Sequence, residues 1–103
     1  MIIECKEWRA HHDKMLPAEL RVSGTITVSH PGIEPVLVLR ASQNTSTTVA
    51  LDLELQDKEG SFPVICDKEV RFVKQRAFET ITQVDIFQDG KLIASITDIL
   101  VTH

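Results

Sequence analysis

Leu20-Arg21-Val22-Ser23-Gly24-Thr25-Ile26-Thr27-Val28 alternates apolar and polar residues without a break. A period of two gives a strand one buried face and one wet face, and the β-branched residues Val22, Thr25, Ile26, Thr27 and Val28 suit that geometry. A second run, Val49, Leu51, Leu53 and Leu55, repeats the pattern and places Asp52 and Glu54 on the outer side. These two runs specify an antiparallel β architecture.

Downstream, Asp89-Gly90 separates two alternating stretches, Phe78–Gln88 and Leu92–Thr97. Asp and Gly tolerate positive φ, so the pair predicts a hairpin with a type I′ turn. His30-Pro31-Gly32 predicts a turn after the first run. Val36 to Leu39 follows as a short strand whose Pro35 suits a sheet edge. Residues 57–61, Asp-Lys-Glu-Gly-Ser, read as a hairpin loop, and Ala41 to Thr48 as a polar loop. Phe62–Cys66 and Val70–Lys74 read as two short strands, or as one strand broken by a bulge at Asp67-Lys68. Ile99 and Val101 share one face of a last short strand.

Upstream, the segment from Ile2 to Leu16 fits two periods. Ile3 and Cys5 alternate as in a strand, whereas Cys5, Trp8, His12 and Met15 recur at three and four as on a helix. The absence of an N-cap residue favours a first strand over Ile2–Trp8 followed by a loop, with Met15-Leu16 packing down on the core. The alternative is a helix over residues 5–16, which would make the fold α+β. Gly24 interrupts the inner face of the best strand, where a missing side chain marks a bend or the close approach of a residue such as Trp8.

Seven or eight short strands with turn signals between them predict an all-β domain over residues 1–103, an antiparallel β-sandwich that is immunoglobulin-like in size. The Cys, Trp, Cys spacing of antibody domains is missing, since Trp8 is not flanked by the two cysteines. With 43% apolar and 25% charged residues, the composition is that of an ordinary globular protein. No stretch approaches the roughly 20 apolar residues of a membrane helix. The amino terminus lacks the basic and apolar regions of a secretory signal, so the expected compartment is cytoplasmic. Cys5 and Cys66 are too few for a disulfide framework and are expected as reduced thiols, bridged only if their strands were neighbours.

Chemistry is sparsely written. His11-His12-Asp13 is the one cluster of metal-type ligands, weak because consecutive side chains point apart, and His30 and His103 would have to converge on it from elsewhere. Asp52 with Glu54, or Glu79 with Asp85, are the available carboxylate pairs, and the first lies on a wet face where carboxylates stay ionised. No Gly-rich phosphate loop and no nucleophile elbow is present. The net charge of −4 argues against a general nucleic-acid binder. The basic group Lys68, Arg71, Lys74 and Arg76 divides between both faces of its strand, with edge protection as its ordinary role.

Apolar residues on faces that should be wet carry more information. Val36 and Val38 lie out of phase with Leu37 and Leu39, and Val73, Ile81, Phe87 and Ile93 with their neighbours. Strands apolar on both sides need cover on both sides, or else bulges shift their register. The expected function is therefore a non-enzymatic protein-interaction or self-association module. Val36, Val38, Phe87 and Ile93 are its candidate contacts, a protein partner or a homodimer is its complex, and no cofactor is expected. The alternative is a small-molecule or metal-binding β-barrel, enzymatic or not, that uses the His11, His12 and Asp13 loop.

Overall fold

A computed structural model describes residues 2–41, 47–58, 63–77 and 80–102. Among the described residues eight strands follow one another: β1 (Ile2–Asp13), β2 (Glu19–Val28), β3 (Ile33–Leu39), β4 (Thr48–Asp57), β5 (Cys66–Gln75), β6 (Gln83–Gln88), β7 (Lys91–Ile96) and β8 (Ile99–Thr102). They form two four-stranded sheets, ordered β5-β2-β1-β8 (sheet A) and β3-β4-β6-β7 (sheet B). The fold is thus an all-β sandwich of eight strands. Leu20, Val22, Ile26 and Val28 from sheet A face Leu37, Leu51, Leu53, Val84 and Ile86 from sheet B in one buried cluster.

Two pairings depart from a purely antiparallel arrangement. β8 runs parallel to β1, and β6 runs parallel to β4. Parallel neighbours cannot be joined by a tight turn. β5, which lies in the other sheet, supplies the crossover from β4 to β6. Because β4 and β5 lie in different sheets, they are not a hairpin, contrary to the reading of residues 57–61, of which 59–61 lie outside the described residues. The two parallel pairs also distinguish this order from the antiparallel sheets of constant-type immunoglobulin domains.

The opening segment corrects the sequence reading most sharply. β1 continues through His11 and His12 to Asp13, so neither a loop after Trp8 nor a helix over residues 5–16 is present. The misleading period has a structural cause. Lys6 pairs with Thr25 and Arg9 with Ser23, so Glu7 and Trp8 together oppose the single residue Gly24. That is a β-bulge, and Glu7 takes the positive φ of 55° at its first position. The extra residue lets Cys5 and Trp8, three apart, both face the core, after which Ala10 and His12 resume a period of two. Gly24 leaves the space that the Trp8 ring fills, with an added Cβ lying 2.6 Å from Trp8 Cδ2. Met15 and Leu16, expected to pack down, are instead exposed at the β1–β2 tip.

β5 is likewise unbroken. Ten consecutive residues pair with β2 from Cys66 opposite Val28 to Gln75 opposite Glu19. The charges at Asp67-Lys68 need no bulge because each has a use on its own side. Asp67 projects outward and accepts a hydrogen bond from Thr27 Oγ1 at 2.6 Å. Lys68 turns toward sheet B, where Nζ donates to the Pro31 carbonyl at 2.7 Å and lies 3.1 Å from Glu34 Oε1. It ties the β5 edge to the turn before β3. The β6–β7 hairpin has the predicted turn, with Asp89 at φ 52° and Gly90 at φ 80°. Among the described residues no helix is long and apolar enough to cross a membrane.

Candidate interaction surfaces

The strand registers place Val38 opposite Asp52, Asp52 opposite Phe87, and Phe87 opposite Leu92. One cross-strand row therefore spans all four strands of sheet B on its outer face. Val36, opposite Glu54, stands in the next row. Val36, Val38 and Phe87 are half-buried, while Leu92 is 54% exposed. Arg40 lies flat over this face, its guanidinium carbon 4.2 Å from the Phe87 ring centroid and its Nε 3.9 Å from Asp52 Oδ1. An Arg stacked on an aromatic, among aliphatic residues and flanked by carboxylates, has the make-up of interface anchors.

Ile93 does not belong to this surface. A register shift between Ile86 and Phe87 leaves Ile93 as the extra residue of β7, and it packs against the core. Bulge geometry thus explains one of the four candidate positions. Leu92, assigned inward by its alternation with Ile93, takes the outward place instead. Ile81 is buried at 5% exposure, and Val73 is exposed on the outer face of sheet A. Among the carboxylate pairs, Asp52 and Glu54 face outward as their strand predicts. Asp85 is nearly buried and accepts hydrogen bonds from Gln83 Nε2 and Ser95 Oγ, each at 2.7 Å. Phe78 and Glu79 lie outside the described residues.

His11 and His12 point to opposite faces of β1. His12 is fully buried, and its Nε2–H donates to the Ala77 carbonyl at 2.6 Å, leaving Nδ1 without a partner. His11 faces out and joins a polar circuit that ties three strands of sheet A together. Arg21 Nη1 donates weakly to His11 Nδ1 at 3.5 Å, and Nε2–H of the same ring donates to Thr102 Oγ1 at 2.9 Å. The Thr102 hydroxyl then donates to Asp13 Oδ1, whose other oxygen lies 3.6 Å from Arg21 Nη2. His30 sits at the far end of β2, paired with Asp57 at 3.2 Å. The three ligand-type residues of the first loop reading are therefore strand residues, and His103 lies outside the described residues. Among the described residues no group of three His, Cys, Asp or Glu is gathered to hold a metal ion.

The remaining polar features are structural in form. Asp67 has its carboxyl held below the usual value, first by the Thr27 hydroxyl and then by Lys6, which reaches across β2 to within 3.3 Å. Lys68 and Lys74 turn to the inner side of β5 while Arg71 turns outward, so no continuous basic strip forms. Cys5 and Cys66 lie on β1 and β5 with β2 between them. Two strand spacings put their backbones about 10 Å apart, beyond the roughly 7 Å limit for a disulfide. Comparison of the chain with protein-family models, curated proteins and solved structures returned no significant match.

Proposed function

We propose that the protein is a non-enzymatic interaction module whose contact surface is the outer face of sheet B, and that a second copy of the chain is its partner. The row Val38, Asp52, Phe87 and Leu92, capped by Arg40 on Phe87, carries the reading. A monomer leaves such a patch on a wet face only at a cost in solubility, and covering it removes apolar surface from water. The same face presents the cation Arg40 and the anions Asp52 and Glu54. A two-fold axis sets a surface against itself, and a face with both signs can be its own complement.

Native mass spectrometry at low micromolar concentration tests this directly. A dimer that reverts to monomer in Phe87→Asp, with the circular dichroism of the fold retained, supports the proposal. A protein that is monomeric at every concentration refutes self-association. A dimer insensitive to both Phe87→Asp and Val38→Asp removes this face from the interface.

A further inference from the structure

Sheet A carries a different surface on the opposite side of the sandwich. The β1 bulge sets Arg9 directly opposite Ser23, and Ser23 lies directly opposite Arg71 on the other side of β2. Arg, Ser and Arg therefore form one cross-strand row, with Arg21 two residues from Ser23 on the same face. These side chains line a concavity of about 380 Å³ together with Thr25 and Glu69. In a chain of net charge −4, the lining sets three guanidinium groups against two carboxylates, Glu7 and Glu69, a local excess of positive charge.

The partners of each arginine separate structural from available groups. Arg21 is engaged by Glu19 at 2.8 Å and by Asp13. Arg71 bonds Glu69 through Nε alone, which leaves its terminal nitrogens to point elsewhere. Neither Arg9 nor Ser23 has a side-chain hydrogen bond or ion pair among the described residues. A hydroxyl flanked on both sides by guanidinium groups offers convergent donors to an oxyanion. The bulge that positions Arg9 is itself held in place by an unusual backbone, since Glu7 has φ 55° and lines the same hollow. Non-glycine residues adopt that conformation at a cost, and they cluster where a local geometry is used.

We infer that this hollow binds a phosphate-monoester oxyanion, with Arg9 and the terminal nitrogens of Arg71 as charged donors, Ser23 Oγ as the central neutral donor and Arg21, held by Glu19 and Asp13, as a fixed side wall. A hollow of this volume also admits an organic group on the ester oxygen, so inorganic phosphate and O-phosphoserine are the probes that separate a bare ion from a monoester. The site is independent of the sheet B surface.

Amide chemical shifts of the labelled protein, followed while each probe is titrated at constant ionic strength, are the test. Saturable shifts centred on Arg9, Ser23 and Arg71, tighter for O-phosphoserine than for inorganic phosphate, support a monoester site. Equal affinity for the two probes keeps the oxyanion site but overturns its assignment to monoesters. Arg9→Gln and Arg71→Gln are each expected to weaken binding at least tenfold. Lys91→Gln removes one positive charge from a different part of the surface and is expected to leave binding unchanged. No saturable shift, or equal losses in Arg9→Gln and Lys91→Gln, overturns the proposal.

Discussion

Gly24→Ala is the sharpest perturbation of the sandwich, because the substituted methyl group would fall onto an aromatic ring. The added Cβ would stand 2.6 Å from Trp8 Cδ2 and 2.7 Å from Cζ3. Favourable carbon contacts lie near 3.5–4.0 Å, so the indole must retreat by about 1 Å. The bulge fixes the Trp8 backbone, and the ring can move only against its packed neighbours. Overpacking of this kind costs about 1–3 kcal/mol, offset by roughly 0.5–1 kcal/mol from replacing a strand glycine. The expected net loss is about 1 kcal/mol within bounds of roughly 0 and 2.5 kcal/mol, and each kcal/mol lowers Tm by roughly 4–8 °C in a chain of this size. Chemical denaturation followed by circular dichroism measures it, and Trp8, the one tryptophan, reports its own displacement by fluorescence. In a Trp8→Ala background the collision is absent, and Gly24→Ala becomes neutral or stabilising. An equal cost of Gly24→Ala in both backgrounds would show that the ring does not occupy the glycine's space, and the bulge-and-glycine account of β1 would fail.

Three further outcomes follow from buried and paired groups. His12→Leu leaves the Ala77 carbonyl without its donor inside the core, at an expected cost of about 1–3 kcal/mol in denaturant titration, and an unchanged midpoint would contradict the observed bond. Purified protein exposed to a mild oxidant under native conditions keeps both thiols, so alkylation after unfolding labels Cys5 and Cys66 together, whereas an intramolecular bridge would show that β2 does not separate them. The lowered pKa of Asp67 means that its stabilising contribution is present above pH 3.8 and is lost as pH falls through the lower folded-state value. The Tm gap between wild type and Asp67→Asn therefore narrows below pH 3.8, and a gap that is constant with pH would remove the Thr27 and Lys6 contacts as its cause.

The legibility of the chain tracks how local each determinant is. β2, β4 and the Asp89-Gly90 turn are written in consecutive residues, and period and turn chemistry suffice to read them. β1 misleads because one inserted residue turns a period of two into the three-residue step from Cys5 to Trp8, which imitates a helical face. The charges of Asp67-Lys68 resembled an interruption because their partners, Thr27 and Pro31, are distant in sequence. The outward placement of Val36, Val38 and Phe87 was legible from apolar residues out of phase. The exchange of Ile93 for Leu92 was not, since only the β6–β7 ladder reveals where the extra residue sits. The Arg9, Ser23 and Arg71 row depends on the register of three strands, one of them separated from the others by two strands of the opposite sheet. A signal for it existed in the unbroken polar side of residues 21–27, but nothing local says which cations would flank it.

The parallel pairing of β1 and β8 determines how the domain carries mechanical load. Ala10 to Asp13 run alongside Ile99 to Thr102, while Ile2 lies at the other end of sheet A beside Val28. Tension applied at Ile2 and Thr102 acts along a span of about 35 Å that follows the strand axis. The β1–β8 rungs are then strained in shear and must yield together, not one at a time as when a hairpin is unzipped. A pull at Val84 and Ile96, the paired open end of the β6–β7 hairpin, would instead peel β7 from β6 rung by rung. The same sandwich is thus stiff along one axis and yielding along another, a difference set by strand direction alone.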